Sequence, residues 1–391
     1  MTIAWRMLPA VPLAGLLIAG AAQAETTAGA TIGVEGGYGS NPLLDSSVGE
    51  SGSLIGRIEP TLKVVGPTTQ LAAFGRVEHI IFSKLYPDMT NWSLGSTVAL
   101  TLSPRSKFSL SGGYSSQVQT TLSGLLPLPG EEDPVLDPSG AELGGQRIKN
   151  LNGSARFTSQ VSARDEITVD AFVSDVDYDS SIFTGYSYTS YGGSLGLSHA
   201  MNARTSLGAS VSYSKSNYDS AAFGDFQQIT PSLNASFQLS PRLTLSTSAG
   251  ISFSQIKLPT GTSNETHFSG QAELCYKGLR SNFCANASRS LGSTARSGSS
   301  TITIVGANYS YKLTPRSSLT LNAQYAETQS IDIGGANVDY GYGVASASYQ
   351  QELGRRLSFS VTARYTEPFK SVSGRRKGFY GGAGINYRLG R

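Results

Sequence analysis

The chain has 391 residues, with 30 Lys and Arg against 27 Asp and Glu, a formal charge of +3, and only 15% charged side chains. So even a balance excludes a nucleic-acid surface built on bulk charge, and net charge by itself names no partner. The 45 Gly, 19 Tyr and 15 Phe, with abundant Ser, Thr and Asn, make poor helices and good strands and turns.

Residues 1–24, "MTIAWRMLPAVPLAGLLIAGAAQA", read as a signal peptide. Arg6 supplies the positive start, Met7 to Ala22 the apolar stretch, and Ala22-Gln23-Ala24 a small-x-small cleavage site. Pro9 and Pro12 interrupt a run already short for a membrane helix. The expected mature domain is 25–391, and no later apolar run approaches the length of a transmembrane helix.

From there, period-2 alternation runs almost end to end. The first strand is "AGATIGVEGGYG". The second and third carry Arg57, Glu59, Arg76 and Glu78 around the turn "GPTT" (66–69), which sets residue 65 opposite 70. That register predicts two reversed cross-strand ion pairs, Arg57–Glu78 and Glu59–Arg76, on an inward face. The next strand, "NWSLGSTVALTL", sets Trp92, Leu94, Val98, Leu100 and Leu102 against Asn91, Ser93, Gly95, Thr97 and Thr101. Further on, "QITPSLNASFQL" and "LTLSTSAGISF" repeat the scheme.

An apolar residue followed three positions later by Arg recurs as "LSPR" (102–105), "VSAR" (161–164), "MNAR" (201–204), "LSPR" (239–242), "LTPR" (313–316) and "LGRR" (353–356). "KGLR" (277–280) takes the equivalent place between the fourth and fifth. Each is a short turn between alternating strands. Nine longer loops alternate with eight short turns, which makes about 18 strands with both termini on the short-turn side. Even strand number and turn asymmetry predict an all-β fold: a closed antiparallel transmembrane barrel with periplasmic termini. Aromatic residues such as Trp92, Tyr114, Tyr191, Tyr213, Phe253, Phe268, Tyr365 and Tyr387 fall in the outward register, where interfacial girdles belong. An 18-strand barrel is wide enough for an aqueous lumen.

Candidate site residues follow from the register. Arg57, Glu59, Arg76 and Glu78 are expected to line the pore as a self-neutralised ladder. Arg156, Lys312, Arg364 and Arg388 have no evident acid nearby in sequence and are the candidates for solute contact. The third outward loop, 120–147, carries Glu131, Glu132, Asp133, Asp137 and Glu142 beside Leu125, Leu126 and Leu128. It is expected to fold inward and constrict the lumen; a surface flap is the alternative for a loop of this length. Cys275 and Cys284 flank the "YKGLRSNF" turn on opposed inward positions, within disulfide reach in an oxidising compartment. No metal site is expected, since two cysteines without a nearby His are an incomplete ligand set. His79, His199 and His267 are scattered, so no catalytic triad assembles and no enzyme or cofactor is predicted.

"GVEGGYGSNPLL" (33–44), followed by the repeated "LSPR" and "LTPR" turns, resembles the β-barrel porin 2 family. Those outer-membrane barrels are often associated with exopolysaccharide production and export gene sets in Gram-negative bacteria. The resemblance covers the whole mature chain and implies an outer-membrane channel taking part in exopolysaccharide export. Its implied partners are outer-membrane lipid, polysaccharide, periplasmic export proteins and the barrel-insertion machinery. The terminal strand ends "YRLGR" rather than on an aromatic residue, so Tyr387 and Leu389 would serve as the sorting signal. Two other functions fit the same strands: a general or sugar-favouring diffusion porin, and a non-conducting structural or adhesive barrel.

Overall fold

The computed structural model describes residues 24–42, 49–118, 146–179, 187–219, 224–258, 261–293, 300–331, 337–370 and 377–390. The signal peptide and most of the third loop, with Glu131, Glu132, Asp133, Asp137 and Glu142, lie outside the described residues. The first nine strands are β1 (Glu25–Gly39), β2 (Ser51–Val65), β3 (Thr69–Phe82), β4 (Met89–Ser103), β5 (Ser106–Val118), β6 (Arg147–Gln160), β7 (Asp165–Asp179), β8 (Tyr188–Asn202) and β9 (Thr205–Tyr218). The rest are β10 (Asp225–Ser240), β11 (Leu243–Leu258), β12 (Gly261–Lys277), β13 (Ser281–Gly292), β14 (Ser300–Thr314), β15 (Ser317–Ile331), β16 (Asn337–Glu352), β17 (Leu357–Lys370) and β18 (Gly378–Gly390).

Each strand pairs antiparallel with the next, and β18 pairs with β1 from Gly29↔Gly390 to Gly39↔Tyr380. The all-β sheet therefore closes into an 18-stranded barrel with no edge, as the alternation requires. Closure satisfies the backbone of every wall strand without water, which is what lipid demands.

One face of the alternation is apolar and exposed. Leu233 is 71% exposed, Phe268 61% and Leu94 60%, and none of them has a protein core to enter. Their phase is lipid. Trp92 and Tyr114 meet on this outer face with ring centroids 5.0 Å apart. A closed antiparallel barrel with such an exterior belongs in the outer membrane of a Gram-negative bacterium.

Two prolines sit inside strands on the outward face, where a missing N–H would normally break a sheet. The β2–β3 ladder skips from Ile58↔Val77 to Thr61↔Phe74 around Pro60, and β10–β11 skips from Ile229↔Phe253 to Ser232↔Gly250 around Pro231. Register is kept on both sides of each gap, so the strands do not slip.

The repeated Arg turns all lie at the short-turn end. Their carbonyls extend the neighbouring ladder by one bond: Gln160 N–H donates to Arg105 O at 2.9 Å, and Gln238 N–H to Arg204 O at 2.7 Å. The apolar residue of each motif faces outward and is exposed, as at Leu102 (60%) and Leu239 (54%). Gln255 and Asn264, either side of the β11–β12 connection, are opposed in the ladder, and side-chain amides carry the pairing outward. Gln227 Nε2 donates to Gln255 Oε1 at 2.7 Å, and Gln255 Nε2 to Asn264 Oδ1 at 3.2 Å.

Candidate functional site: the luminal wall

The lumen has two unlike walls. On the side where the barrel closes, β16, β17, β18, β1, β2 and β3 bring bulky and charged residues inward. Glu35 on β1 is the hub, only 4% exposed. Its Oε2 takes an ion pair from Arg57 Nη2, while its Oε1 accepts from Tyr380 OH at 2.9 Å and from Thr362 Oγ1 at 3.1 Å. One carboxylate thus ties β1, β2, β17 and β18 together across the closure.

Glycines make this packing possible. Arg57 stands opposite Gly33, and a Cβ at Gly33 would come within 2.8 Å of Arg57 Cγ. The guanidinium therefore lies across Gly33 onto Glu35. A Cβ at Gly382 would meet Glu35 Oε1 and Tyr380 OH at 2.6 Å each. Missing side chains on one strand are the berth for long ones on its neighbour.

This corrects one of the two expected ion pairs, Arg57–Glu78. Arg57 is opposite Glu78 in the ladder as the turn register predicts, but its ion pair is with Glu35. Arg76 keeps its expected pair with Glu59 at 3.6 Å and also clasps Glu78 at 2.7 Å. The physical reason is the β1–β2 hairpin, which sets Arg57 opposite Gly33 and leaves the guanidinium free to reach along β1 to Glu35. A second correction concerns Arg156, whose Nε lies 2.5 Å from Asp170 Oδ1 on the next strand. Asp170 Oδ2 also accepts from Ser194 Oγ at 3.1 Å.

Arg364 is 5% exposed and stands opposite Tyr380 in the β17–β18 ladder, part of the same packed seam. Lys312 and Arg388 are exposed near the short-turn end. There a cavity of about 290 Å³ opens between β1, β2, β16, β17 and β18, with Glu35, Arg57, Glu59, Arg355, Arg356 and Arg388 in its lining. Cys275 and Cys284 are directly opposed and joined as a disulfide at the short-turn end of β12–β13.

The facing wall, roughly β8 to β12, is small and hydroxylic. Ser210 and Ser232 lie 2.7 Å apart, Asn234 Nδ2 donates to Ser210 Oγ at 3.0 Å, and Thr230 and Ser252 are 2.8 Å apart. Ser252 and Ser269 continue the chain at 2.5 Å. Ser252 is itself buried, while the half-buried hydroxyls of Ser210, Thr230, Ser232 and Ser269 both donate and accept, so they match a hydrated or hydroxylated solute in either sense. On the same wall His267 Nε2 lies 3.0 Å from Glu265 Oε2, an inward pair the sequence reading did not single out.

Towards the long-loop end the inward residues turn apolar. Ile55, Ile80, Phe82, Tyr86, Met89, Val118 and Tyr380 form one buried cluster, and Val176 and Tyr178 a second with Ile148 and Tyr188. No group of three or more potential metal ligands is gathered among the described residues.

A family model for the autotransporter beta-domain matches residues 167–283. No curated protein matches. Among solved structures, OccK5 (OpdH) of Pseudomonas aeruginosa aligns at 14% identity and a TM-score of 0.47, over 93% of this chain and 98% of that one. The copper transporter OprC aligns at 12% identity and TM-score 0.47, and the FrpB iron transporter of Neisseria meningitidis at 9% and 0.47. The chain spans 64% of OprC and 63% of FrpB, covering 89% and 88% of its own length.

Proposed function

We propose that this chain is an outer-membrane channel for hydrophilic solutes that takes part in exopolysaccharide export. The observation that carries the reading is the two-sided lumen: a hydroxyl-rich wall, with Ser210, Thr230, Ser232 and Ser269 half-buried on its inward face, opposite a charged wall centred on Glu35, Arg57 and Arg76. A sugar chain offers ring hydroxyls, and a wall of serines exchanges hydrogen bonds with them at little cost as they slide. The charges opposite are already paired, so they shape and polarise the path without trapping a neutral solute. Export in particular is supported by the resemblance of residues 33–44 and the repeated turns to the β-barrel porin 2 family.

The test is single-channel recording of the purified mature barrel in a planar bilayer, with and without added oligosaccharide. Steady current that drops on adding sugar supports a saccharide-permeable pore. Current indifferent to sugar removes the saccharide assignment, and a silent bilayer removes the open-channel reading. The same hydroxyl wall also suits a sugar-favouring diffusion porin. Export then requires that a periplasmic polymer-handling protein be recovered with the barrel after cross-linking.

A further inference from the structure

We propose that the arginines of six consecutive short turns form a ring that binds the phosphate-bearing headgroups of the inner leaflet of the outer membrane. The turns from β4–β5 to β14–β15 present Arg105, Arg164, Arg204, Arg242, Arg280 and Arg316, one each, and all six are exposed. Each of their carbonyls accepts an N–H from the end of the following hairpin, at 2.7–2.9 Å. The six guanidinium stems therefore leave the wall from equivalent backbone positions, once per hairpin. Net charge conceals this ring, because acids elsewhere in the chain balance it.

What favours lipid over a soluble acidic protein is the company the arginines keep. Three residues before the arginine, five of the turns carry an outward apolar side chain: Leu102, Val161, Met201, Leu239 and Leu313 are 44–60% exposed. The sixth carries Leu279 beside its arginine, 87% exposed. Apolar surface thus runs down the wall to the very residues that hold the guanidinium groups. Such a step matches the boundary between acyl chains and phosphates, where a cationic side chain buries its stem and keeps its charge in the headgroup layer. The guanidinium fork can take two phosphate oxygens at once. Asp165, the acid next to Arg164, is held by His199 Nδ1 at 2.7 Å. This inference rests on the barrel standing in the outer membrane and is independent of what the lumen carries.

The experiment is native mass spectrometry of the intact barrel released from nanodiscs of equimolar phosphatidylglycerol and phosphatidylcholine, counting retained lipids. The wild-type barrel is expected to retain phosphatidylglycerol preferentially. Each arginine near an anionic surface contributes a preference of about fivefold. Replacing all six with Gln should abolish the preference, and replacing them with Lys should keep part of it, since the charge remains and the fork is lost. Should the sixfold variant fail to show the heat-modifiable mobility of a folded barrel, the pair Arg204→Gln and Arg242→Gln should still lower the preference measurably. Equal retention of both lipids by the wild type, or a preference unchanged in the Gln variants, overturns the proposal. The second result would point to an acidic protein partner for the ring.

Discussion

Glu35 has less than a twentieth of its surface exposed and spends both oxygens on three neighbours, so its removal is felt by four strands at once. Glu35→Ala leaves Arg57, 6% exposed, without its counter-charge. Breaking such a pair from one side costs about 3–5 kcal/mol, whereas Glu35→Gln with Arg57→Met together should cost much less. Urea unfolding of the barrel, followed by heat-modifiable mobility, measures both; equal losses for the single and the double variant would remove the coupling. Arg156 makes a different prediction. Asp170→Asn frees its guanidinium at a side chain already 65% exposed, so the channel should shift toward anions. A reversal potential in a salt gradient reads this directly, and an unmoved value would place Arg156 away from the ion path. The two arginines also differ in legibility. Arg156 opposite Asp170 follows from counting back from the turn at 161–164, a local rule. The Arg57–Glu35 contact depends on Gly33, which stands opposite Arg57 across the β1–β2 hairpin and lets the guanidinium reach two residues along β1, so a count of directly opposed residues does not reveal it.

The strands themselves are two-faced, and the cleanest check is to change one face at a time. Leu233 lies midway along β10, 71% exposed on the outer side, with Asn234 next to it facing the lumen. Leu233→Arg should cost about 2–4 kcal/mol in a bilayer, as a cation at the lipid midplane does, while Asn234→Arg should be tolerated. Equal costs would mean that residues 233 and 234 do not face different phases. Alternation made this assignment readable at sequence level, because period 2 is a property of the extended chain and needs no tertiary partner. At the β12–β13 turn, Cys275 and Cys284 enclose a sequence separation of 9. Denatured protein should show no reactive thiol before reduction and a thiol at both positions after it. A pair of thiols without reduction would exclude the bridge.

At the scale of the molecule, charge and bulk are segregated in a way the near-neutral total hides. Arginines mark the short-turn rim, paired acids and bases fill the closing side of the lumen, and small hydroxyls line the opposite side. An apolar inward layer, with Ile80 at 0% and Phe82 at 7% exposure, stands toward the long-loop end. The third loop springs from that end, between β5 and β6. Deleting residues 123–144 should therefore raise single-channel conductance if the loop narrows the path. An unchanged conductance would assign the constriction to the wall itself.

Strand number, strand order and the lipid-facing set were decided by the sequence alone. Alternation and turn chemistry act between residues close in the chain, and the even count leaves closure as the way to satisfy every strand. The tertiary structure decided which luminal charges meet. It also decided that glycines at 33 and 382 would hold a neighbour's long side chain, and that Glu35 would become the hub of the seam. The bonds from Glu35 to Thr362 and Tyr380 join β1 to strands more than three hundred residues away along the chain. They exist only where the curved wall brings such strands within reach of one another, so their physical cause is closure rather than local preference.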